Sequence, residues 1–535
     1  MSEKTDSGGR PAPRRGRWVL GGLSGLLAAA AALGSAELVS AAVRPQSSPV
    51  VVVGGAVVDR TPASVKDYAV RHFGTHDKLV LQLGIVVLLG LFAVALGLAA
   101  LRLRRTAAAG AAVFGLVGVL AATSRPDHRA ADVLPSLAAA FVAAAVLMLL
   151  SARLTPRPPA SGPTVREEAG PPAFDRRGFV VAAAATAAAS TGAGTLGRAL
   201  NGRRGAAAAR SRAAVVLPRP ASPADPVPRG AALPVDGLSP FMTPADRFYR
   251  VDTALVVPRI DAGTWRLRLH GLGVPREVEY TYADLLGREL IERDITLTCV
   301  SNQVGGPYTG NARWTGVRLA DLLREAGVRA PSQGGPADQL VARSVDGMTI
   351  GTPVETVLDG RDAMLALGMN GSPLPFAHGF PVRVVIPGLY GYASACKWLR
   401  ELELTTFDAY DAYWVRRGWA RRAPVKTQSR IDTPRPFATP AAGRVPVAGV
   451  AWAQHRGIER VEVRVDGGPW RTATLAAEDT VDTWRQWQWE WDAPPGTHTL
   501  EVRATDRTGA TQTSRRTGTV PDGATGRHSV VVTVT

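Results

Sequence analysis

The chain has 535 residues, a formal net charge of +17 and only two cysteines. This length exceeds that of one compact domain, so two to four folded units are expected. The basic residues lie mainly in short arms beside apolar runs and form no stripe interleaved with aromatic residues, which excludes nucleic acid as the expected partner and indicates a membrane protein.

Four apolar runs in the N-terminal part are long enough to cross a bilayer, which requires about twenty helical residues. They follow a basic arm over residues 1–17 and lie within residues 18–150, at Trp18–Val43, Leu79–Leu101, Thr106–Thr123 and Ala131–Leu150. We predict four transmembrane helices here, with buried helices of a soluble domain as the alternative. None of the runs contains a histidine, so a bis-histidine haem within the membrane is not expected.

The charged connections predict how these helices are oriented. Arg14, Arg15 and Arg17 precede the first run, and the segment Arg102–Arg105 connects the second run to the third. Because positive charges favour the cytoplasmic side, both segments are expected there. The loops over residues 44–78 and 124–130 are then expected outside the cell membrane.

A second membrane signal follows a linker over residues 151–173. Residues 174–200 contain Arg176-Arg177 and then a mildly apolar run rich in alanine. Paired arginines before such a run resemble a twin-arginine export signal. We predict a fifth transmembrane helix that leaves the rest of the chain outside. The arginines that follow the run, such as Arg203 and Arg204, favour the alternative of a cytoplasmic second half.

The remaining chain is predicted to contain one linker and two folded parts. Residues 201–233 are rich in Pro, Ala and Arg without an apolar period, which predicts an extended linker. Residues 234–430 combine β-branched strands with short helices, which predicts an α+β domain. Evenly spaced strands over residues 431–535 predict an immunoglobulin-like β-sandwich. Trp487, Trp489 and Trp491 alternate along one of these strands, which favours a buried face over a ligand platform.

Cys299 ends an apolar strand and is followed by a polar, Gly-rich loop. A thiolate at a strand end with small neighbours leaves room for a bulky metal group. A structural free cysteine is the simpler interpretation. The other cysteine is Cys396, and in a protein outside the cytoplasm one disulfide would also suit the composition.

A second polar constellation surrounds the strand candidate Arg383–Pro387. His378, Arg383, Ser394 and Lys397 flank this strand and the Gly-rich turn after it. Cationic donors beside free backbone N–H groups are typical of a binding site for an anionic phosphate. Taken one at a time, each of these residues is more simply interpreted as part of a surface salt bridge.

Together these segments resemble the sulfite-oxidase family of molybdopterin-dependent oxidoreductases. The resemblance extends over about residues 234–405 and rests on Phe248-Tyr249-Arg250, the strand ending at Cys299, the segment Ala312–Val317, the Gly-rich stretch from Met369 to Arg383, and Lys397-Trp398. The β-sandwich after it resembles the family's dimerisation domain. The resemblance implies a molybdenum–molybdopterin cofactor.

The resemblance also implies residue roles. Cys299 would be the protein ligand to molybdenum and the catalytic residue. The residues implied to bind the cofactor are Tyr249, Arg250, Cys299, His378, Arg383, Ser394, Ala395, Cys396 and Lys397. A disulfide between Cys299 and Cys396 would block metal binding under this reading and is not expected.

The chain differs from the family at positions that would bind the substrate. The stretch Arg250–Thr253 lacks the family's arginine and histidine, Asn302-Gln303-Val304 lacks its second arginine, and Met348 lies near the position of its tyrosine. An anion such as sulfite is best held by a cationic clamp, so sulfite is doubtful as the substrate.

The predicted function is therefore two-electron oxygen-atom transfer on a small molecule, either sulfite-like, a sulfoxide or an N-oxide. The enzyme would be a multi-pass protein of the cell membrane with its catalytic domain outside the cytoplasm. Two cysteines are too few for an iron–sulfur cluster, so a separate electron carrier is expected, either a cytochrome c or a quinone-linked protein. A homodimer is one option for its assembly. The alternative function is a cofactor-free, membrane-anchored binding or adhesion protein that uses the β-sandwich.

Overall fold

The computed structural model describes residues 14–61, 65, 77–125, 128–154 and 175–535. The described residues form two compact units, one within Met1–Ala206 together with Thr253–Val256, and the other within Ala207–Asp252 and Val257–Thr535. Residues 1–13 of the predicted basic arm and residues 155–173 of the predicted linker lie outside the described residues.

The N-terminal unit is helical. Its helices are α1 (Arg14–Val43), α2 (Pro49–Arg60), α3 (Asp77–Ala100), α4 (Arg104–Thr123), α5 (Leu134–Leu154) and α6 (Arg176–Ala213). Five of these described helices, all except α2, are long and apolar enough to cross a membrane. Helix α2 lies in the stretch predicted to be a loop. A proline at its first position followed by four valines allows a helix of 12 residues, which is too short to cross.

Helix α6 corrects the predicted linker over residues 201–233. The helix has 38 residues and continues to Ala213, because Ala206–Ala209 and the flanking arginines favour helix and the first proline comes only at Pro218. The residues after α6 are also not a free linker, because they bond to strands of the folded region. Ser222 N donates to Leu290 O at 3.2 Å, and Leu233 N donates to Gln486 Oε1 at 2.7 Å.

The second unit begins with a mixed α+β region, as predicted. Its strands are β1 (Arg266–Gly271), β2 (Val278–Thr281), β3 (Leu290–Thr298), β4 (Thr309–Arg318), β5 (Gln339–Ser344), β6 (Thr349–Pro353), β7 (Met364–Met369), β8 (Ser372–Pro373), β9 (Arg383–Val385) and β10 (Leu399–Thr405). Its helices are α7 (Tyr282–Leu286), α8 (Leu319–Glu325), α9 (Val354–Leu358) and α10 (Gly391–Ser394).

These strands form two sheets over a common core. One sheet has the order β2-β1-β10-β5-β6, and the other has the order β3-β4-β7-β8 with β9 paired to β7. Strands β3, β4 and β7 are almost entirely buried. The sequence of β7 is apolar or small throughout, whereas β3 and β4 also contain charged residues such as Asp294 and Arg313, which pair with each other across the two strands. Trp314 and Leu267 are among the fully buried side chains of this core.

The C-terminal region consists of two antiparallel sheets. Their strands are β11 (Gln428–Thr433), β12 (Gly443–Trp452), β13 (Ile458–Val465), β14 (Arg471–Thr472), β15 (Thr474–Leu475), β16 (Arg485–Ala493), β17 (Gly496–Asp506) and β18 (His528–Val534). The sheet orders are β11-β12-β16-β15 and β14-β13-β17-β18. Trp487 and Trp491 lie in the shared core and Trp489 packs against it half-buried, so the predicted tryptophan face is confirmed.

Candidate active site

The Cys299 thiol lies at the end of β3. The register of β3 and β4 ends at the pair Thr298 and Thr309, and Cys299 is the next residue. Its N–H donates to Tyr308 O at 2.9 Å, and its Sγ lies 2.8 Å from Ser301 Oγ. The side chain is therefore held in one place on a rigid sheet edge, and only 9% of the residue is exposed.

The surroundings of this thiol decide its charge. Burial raises the pKa of Cys299, while the hydrogen bonds of Ser301 and the nearby Lys397 ammonium lower it, and the net shift is upward. A buried thiol of this kind stays protonated at neutral pH unless a cation binds it. The position is thus suited to a soft metal ion.

Tyr249 stands beside Cys299. Its ring stacks on Phe248 with the centroids 5.1 Å apart and lies 6.4 Å from the ring of Tyr308. A Cβ atom at Gly391 would lie 3.8 Å from both the Tyr249 hydroxyl and Thr298 O, so these groups border one small space. Burial, and then the Cys299 sulfur, raise the pKa of Tyr249, which keeps its phenol protonated and able to donate.

Arg383 is the deepest cation near this space. It begins β9, is 5% exposed, and its guanidinium lies over the Trp314 ring at 4.9 Å. Nη1 donates to His378 O at 3.2 Å, but the buried Nε has no hydrogen-bond partner among the described residues. Burial lowers the pKa of Arg383 to about 10, so the group is still charged at neutral pH. A buried charged donor of this kind is stabilised by an acceptor, such as one on a bound anion.

His378 ends a short 3₁₀ turn, Phe376–His378, and is buried. Its Nε2 lies 2.8 Å from Ala245 O, which requires Nε2 to carry the proton and donate. Burial, and then the Arg383 charge, lower the pKa of His378 to about 4. The imidazole is therefore neutral at pH 7 and serves mainly to connect the Phe248 loop to Arg383.

Lys397 lies beside β9, because Val384 N donates to Cys396 O at 2.9 Å and Leu399 N donates to Val382 O at 3.0 Å. Its ammonium donates to Asp252 Oδ2 at 2.9 Å. Burial lowers the pKa of Lys397 to about 8, against the opposing effect of Asp252.

Asp252 forms a cluster that the sequence did not predict. Its Oδ2 also accepts a hydrogen bond from Arg250 Nε at 2.8 Å, and its side chain is only 3% exposed. A second carboxyl, Asp346, is close to the same cluster, and its burial raises its pKa. In the sequence, Asp252 stood out only because it lies in the stretch after Tyr249 that differs from the family. Nothing in that stretch indicated that its partner, Lys397, lies 145 residues away.

The other expected site residues do not turn their side chains to this space. The Ser394 hydroxyl bonds within its own turn, to Leu389 O at 3.0 Å and Tyr390 O at 3.1 Å. Cys396 belongs to the hydrophobic core and Ala395 packs against it. Both cysteines are free thiols. The sequence also missed Ser301 and Tyr308, which lie in the loop directly after Cys299.

The comparisons with known proteins agree with this chemistry. The family described as "Oxidoreductase molybdopterin binding domain" matches residues 254–414, a range that contains Cys299, Arg383 and Lys397 and begins just after Tyr249 and Arg250. Human mitochondrial sulfite oxidase is 31% identical over 306 residues, which cover 49% of this chain and 55% of the relative. NADH nitrate reductase 1 of Oryza sativa is 34% identical over 196 residues, covering 32% of this chain and 21% of the relative.

Among solved structures, the sulfane dehydrogenase SoxCD from Paracoccus pantotrophus aligns with a TM-score of 0.48 and 25% identity, covering 55% of this chain and 84% of that chain. The chain spans about half the length of the curated sulfite oxidases that it matches.

Proposed function

We propose that this chain, a molybdopterin-dependent oxidoreductase of the sulfite-oxidase family, is a membrane-anchored, extracytoplasmic enzyme that transfers an oxygen atom to or from a small molecule. The observation that carries the proposal is the buried Cys299 thiol, fixed at the end of β3 beside Tyr249 and within reach of the Lys397 charge. A cofactor-free binding protein would have no need of this arrangement, and the family match argues against it.

The donor set fits a molybdenum–molybdopterin cofactor. When bound, the cofactor supplies the two-electron redox chemistry and the oxygen exchange. Cys299 would be its soft protein ligand, and the unsatisfied Nε of Arg383 would donate to the pterin or its phosphate. Lys397 would add a point charge. The remaining proposed contacts are Tyr249, Arg250, His378, and the main chain of Ser394, Ala395 and Cys396.

The protein residues also bear on the choice of substrate. The Asp252 carboxylate pairs with both Arg250 and Lys397 and offsets one of their two positive charges, and Asn302-Gln303-Val304 places no cation after the ligand cysteine. A dianion such as sulfite would therefore compete with a buried carboxylate for these two cations instead of meeting a free cationic clamp. A neutral sulfoxide or N-oxide carries no net charge to repel. We therefore favour a neutral oxide as the substrate class.

The proposal extends to location and partners. Five described helices are long and apolar enough to cross a membrane. The basic N-terminal arm, the segment Arg102–Arg105 and the paired Arg176-Arg177 before the fifth helix support an external C-terminal half, whereas Arg203 and Arg204 oppose it. Electrons would be exchanged with a separate cytochrome c or quinone-linked carrier. The two C-terminal sheets would form an immunoglobulin-like dimerisation domain.

The first experiment measures molybdenum and released pterin per chain in protein purified in detergent from a cofactor-competent host. The wild type, Cys299→Ser and the matched control Cys396→Ser are compared. We expect pterin in all three and loss of activity only in Cys299→Ser, because only that thiol faces the proposed metal position. Absence of both molybdenum and pterin from well-folded wild-type protein would reject the enzyme.

A second experiment tests the substrate class. Oxidation of sulfite with ferricyanide is compared with reduction of dimethyl sulfoxide, methionine sulfoxide and trimethylamine N-oxide by reduced methyl viologen. We expect kcat/KM to be at least about tenfold higher for one of the neutral oxides than for sulfite, which corresponds to about 1.4 kcal/mol. Sulfite as the best of the four substrates would refute this choice.

A further inference from the structure

We propose that Gln454, in the C-terminal region, is a positioning residue for the Cys299 thiol. Gln454 lies two residues after the end of β12 and is only 1% exposed. Its Nε2 donates to Thr296 O at 2.9 Å and to Thr298 Oγ1 at 3.0 Å. Thr298 is the last residue of β3 and directly precedes Cys299. This inference rests on the proposed function, because it takes Cys299 as the protein ligand to the cofactor.

Strand β3 needs hydrogen-bond partners outside its own sheet. It is the first strand in the sheet order, so one edge of its backbone faces away from β4. At the start of β3 this edge is bonded to Ser222, which donates to Leu290 O at 3.2 Å and accepts from Glu292 N at 2.9 Å. Near the end of β3 the same edge is formed by Thr296, which is buried. Because buried backbone N–H and C=O groups require partners, those of Thr296 must be paired by another part of the chain.

The C-terminal region supplies these partners. Thr296 N donates to Asp482 O at 2.9 Å, and Gln454 Nε2 donates to Thr296 O. The Thr296 hydroxyl also accepts from Trp484 N at 2.7 Å. Asp482 and Trp484 use main-chain groups, whereas Gln454 uses its side chain and also reaches Thr298. Of these three contacts, that of Gln454 is therefore the one that a substitution can remove and the one that bonds nearest to the thiol.

The C-terminal region also contacts the loop on the other side of Cys299. Arg430 Nη1 donates to Gly306 O at 2.8 Å. Gly305 has a φ of +76° and lies so close to His528 that a side chain at position 305 would overlap the imidazole ring. Cys299 therefore lies between two segments that are both held by the C-terminal region. The position of the thiol depends on that region, in addition to the dimerisation role proposed for it.

Gln454 acts on the thiol through the strand. Among the described residues it makes no hydrogen bond to Cys299 itself, whose Sγ lies 2.8 Å from Ser301 Oγ. By holding Thr296 and Thr298, it fixes the end of β3 and hence the direction of the thiol. Loss of a contact that orients a metal ligand typically lowers metal affinity or activity by about 10- to 100-fold. We therefore expect Gln454 to affect turnover and the environment of the molybdenum, and not the binding of substrate.

The first test compares the full chain with its cofactor as wild type, Gln454→Met and Gln428→Met. Methionine keeps the length of glutamine and removes the donor, and Gln454 Oε1 has no partner among the described residues to lose. For Gln454→Met we expect a changed electron paramagnetic resonance spectrum of the bound molybdenum and a kcat about tenfold lower at unchanged KM. Gln428→Met is the matched control and should resemble the wild type, because the buried Gln428 amide donates to Ala524 O at 2.9 Å within the C-terminal region.

A second test measures alkylation of Cys299 by iodoacetamide in the full chain produced without the cofactor. All proteins carry Cys396→Ser, so that Cys299 is the thiol observed. We expect Gln454→Met to react roughly tenfold faster than its parent, the factor given by one lost hydrogen bond of about 1.4 kcal/mol, and Gln428→Met to react as the parent does. Thr298→Val removes the other end of the contact and should also speed the reaction, which keeps the test available if Gln454→Met does not fold.

The two tests separate this inference from the proposed function. Absence of molybdenum and pterin from the wild type would reject the enzyme and with it the role of Cys299 as a ligand, whereas the alkylation rates report the position of the thiol without any cofactor. Equal spectra, kcat values and alkylation rates in Gln454→Met and Gln428→Met would overturn the positioning role. A rise in KM at unchanged kcat for Gln454→Met would overturn it as well, because Gln454 would then act on substrate binding.

Discussion

Arg383 and Lys397 show how burial prepares charged side chains for a ligand. Both are removed from water, and burial lowers the pKa of each. Lys397 has a carboxylate partner in Asp252, whereas the Nε of Arg383 has no partner among the residues that the structure describes. Of these two side chains, Arg383 is therefore the one that an acceptor on the proposed cofactor would stabilise more.

Arg383→Lys should retain the positive charge but lose the Nε donor and the planar stack on Trp314. We expect cofactor binding to weaken by about 10- to 100-fold, the equivalent of one charged hydrogen bond. The measurement is pterin retained per chain after extensive dialysis. Arg343→Lys is the matched control, because Arg343 also lies 4.9 Å from an aromatic ring, that of Tyr410, but already has Glu401 and Glu403 as partners. Equal retention in both variants would contradict the assignment.

His528 predicts a pH dependence of stability. Its Nδ1 accepts from Ile431 N at 3.0 Å, so the ring must be neutral, and burial followed by the Arg430 charge lowers its pKa to about 4. The unfolded chain takes up this proton first as the pH falls from about 6.5. Stability is therefore complete above pH 6.5 and is lost toward pH 4, by about 3 kcal/mol at most.

His528→Asn should reduce the decline in Tm between pH 6.5 and pH 4, because asparagine takes up no proton and its Oδ1, which like Nδ1 is bonded to Cγ, can still accept from Ile431 N. The melting temperature of the full chain in detergent, measured at several pH values, checks this. A decline as steep as that of the wild type would show that other groups cause the acid instability.

The ends of strands β3 and β9 position two side chains of the candidate active site. Cys299 follows the last residue of β3 and Arg383 is the first residue of β9, so both are held by ladder hydrogen bonds instead of by flexible loops. The segment after α10 then runs beside β9 and places Lys397 there. Cys299 and Arg383 are far apart in sequence. They are brought together because, within one sheet, β9 pairs with β7, β7 with β4 and β4 with β3.

Trp487 and Trp489 predict unequal contributions from one strand. Trp487 on β16 is fully buried, whereas Trp489 is half-buried against the same core. Trp487→Ala should lower the free energy of unfolding of the C-terminal region by about 3–5 kcal/mol, through lost burial and the cavity left behind. Trp489→Ala should cost clearly less. Differential scanning calorimetry of the two variants measures the difference, and equal shifts would contradict the burial argument.

The two compact units divide the proposed work between a membrane anchor and an enzyme. The apolar helices would hold the chain in the cell membrane, and the second unit would carry the molybdenum site. The proposed extracytoplasmic location requires that the second unit cross the membrane. The paired arginines at the start of α6 are the only sequence feature that indicates how an already folded unit would do so.

Arg176→Lys combined with Arg177→Lys should block export of the second unit if the twin-arginine signal is used. The measurement is digestion of the C-terminal half by protease added to intact spheroplasts. Arg203→Lys combined with Arg204→Lys is the matched control and should leave the digestion unchanged. Protection of the wild-type C-terminal half would place it in the cytoplasm and support the alternative orientation.

The sequence alone determined the features that depend on local pattern. The apolar helices follow from length and composition, and the tryptophan face of β16 follows from the period of two. The motifs around Cys299 and Arg383 were recognisable because their residues are close in the chain. The ends of the elements were predicted less well. The alanines and arginines after residue 200 favour helix, so α6 extends into the predicted linker.

Only the tertiary structure decided which distant groups meet. The pair Asp252–Lys397 spans 145 residues, and the lack of a partner for Arg383 Nε among the described residues depends on every neighbour that packing brings to it. Burial, and the pKa shifts that burial causes, are likewise properties of the packed chain. Local sequence pattern sets the elements, whereas the free energy of a buried polar group is set by what surrounds it in space.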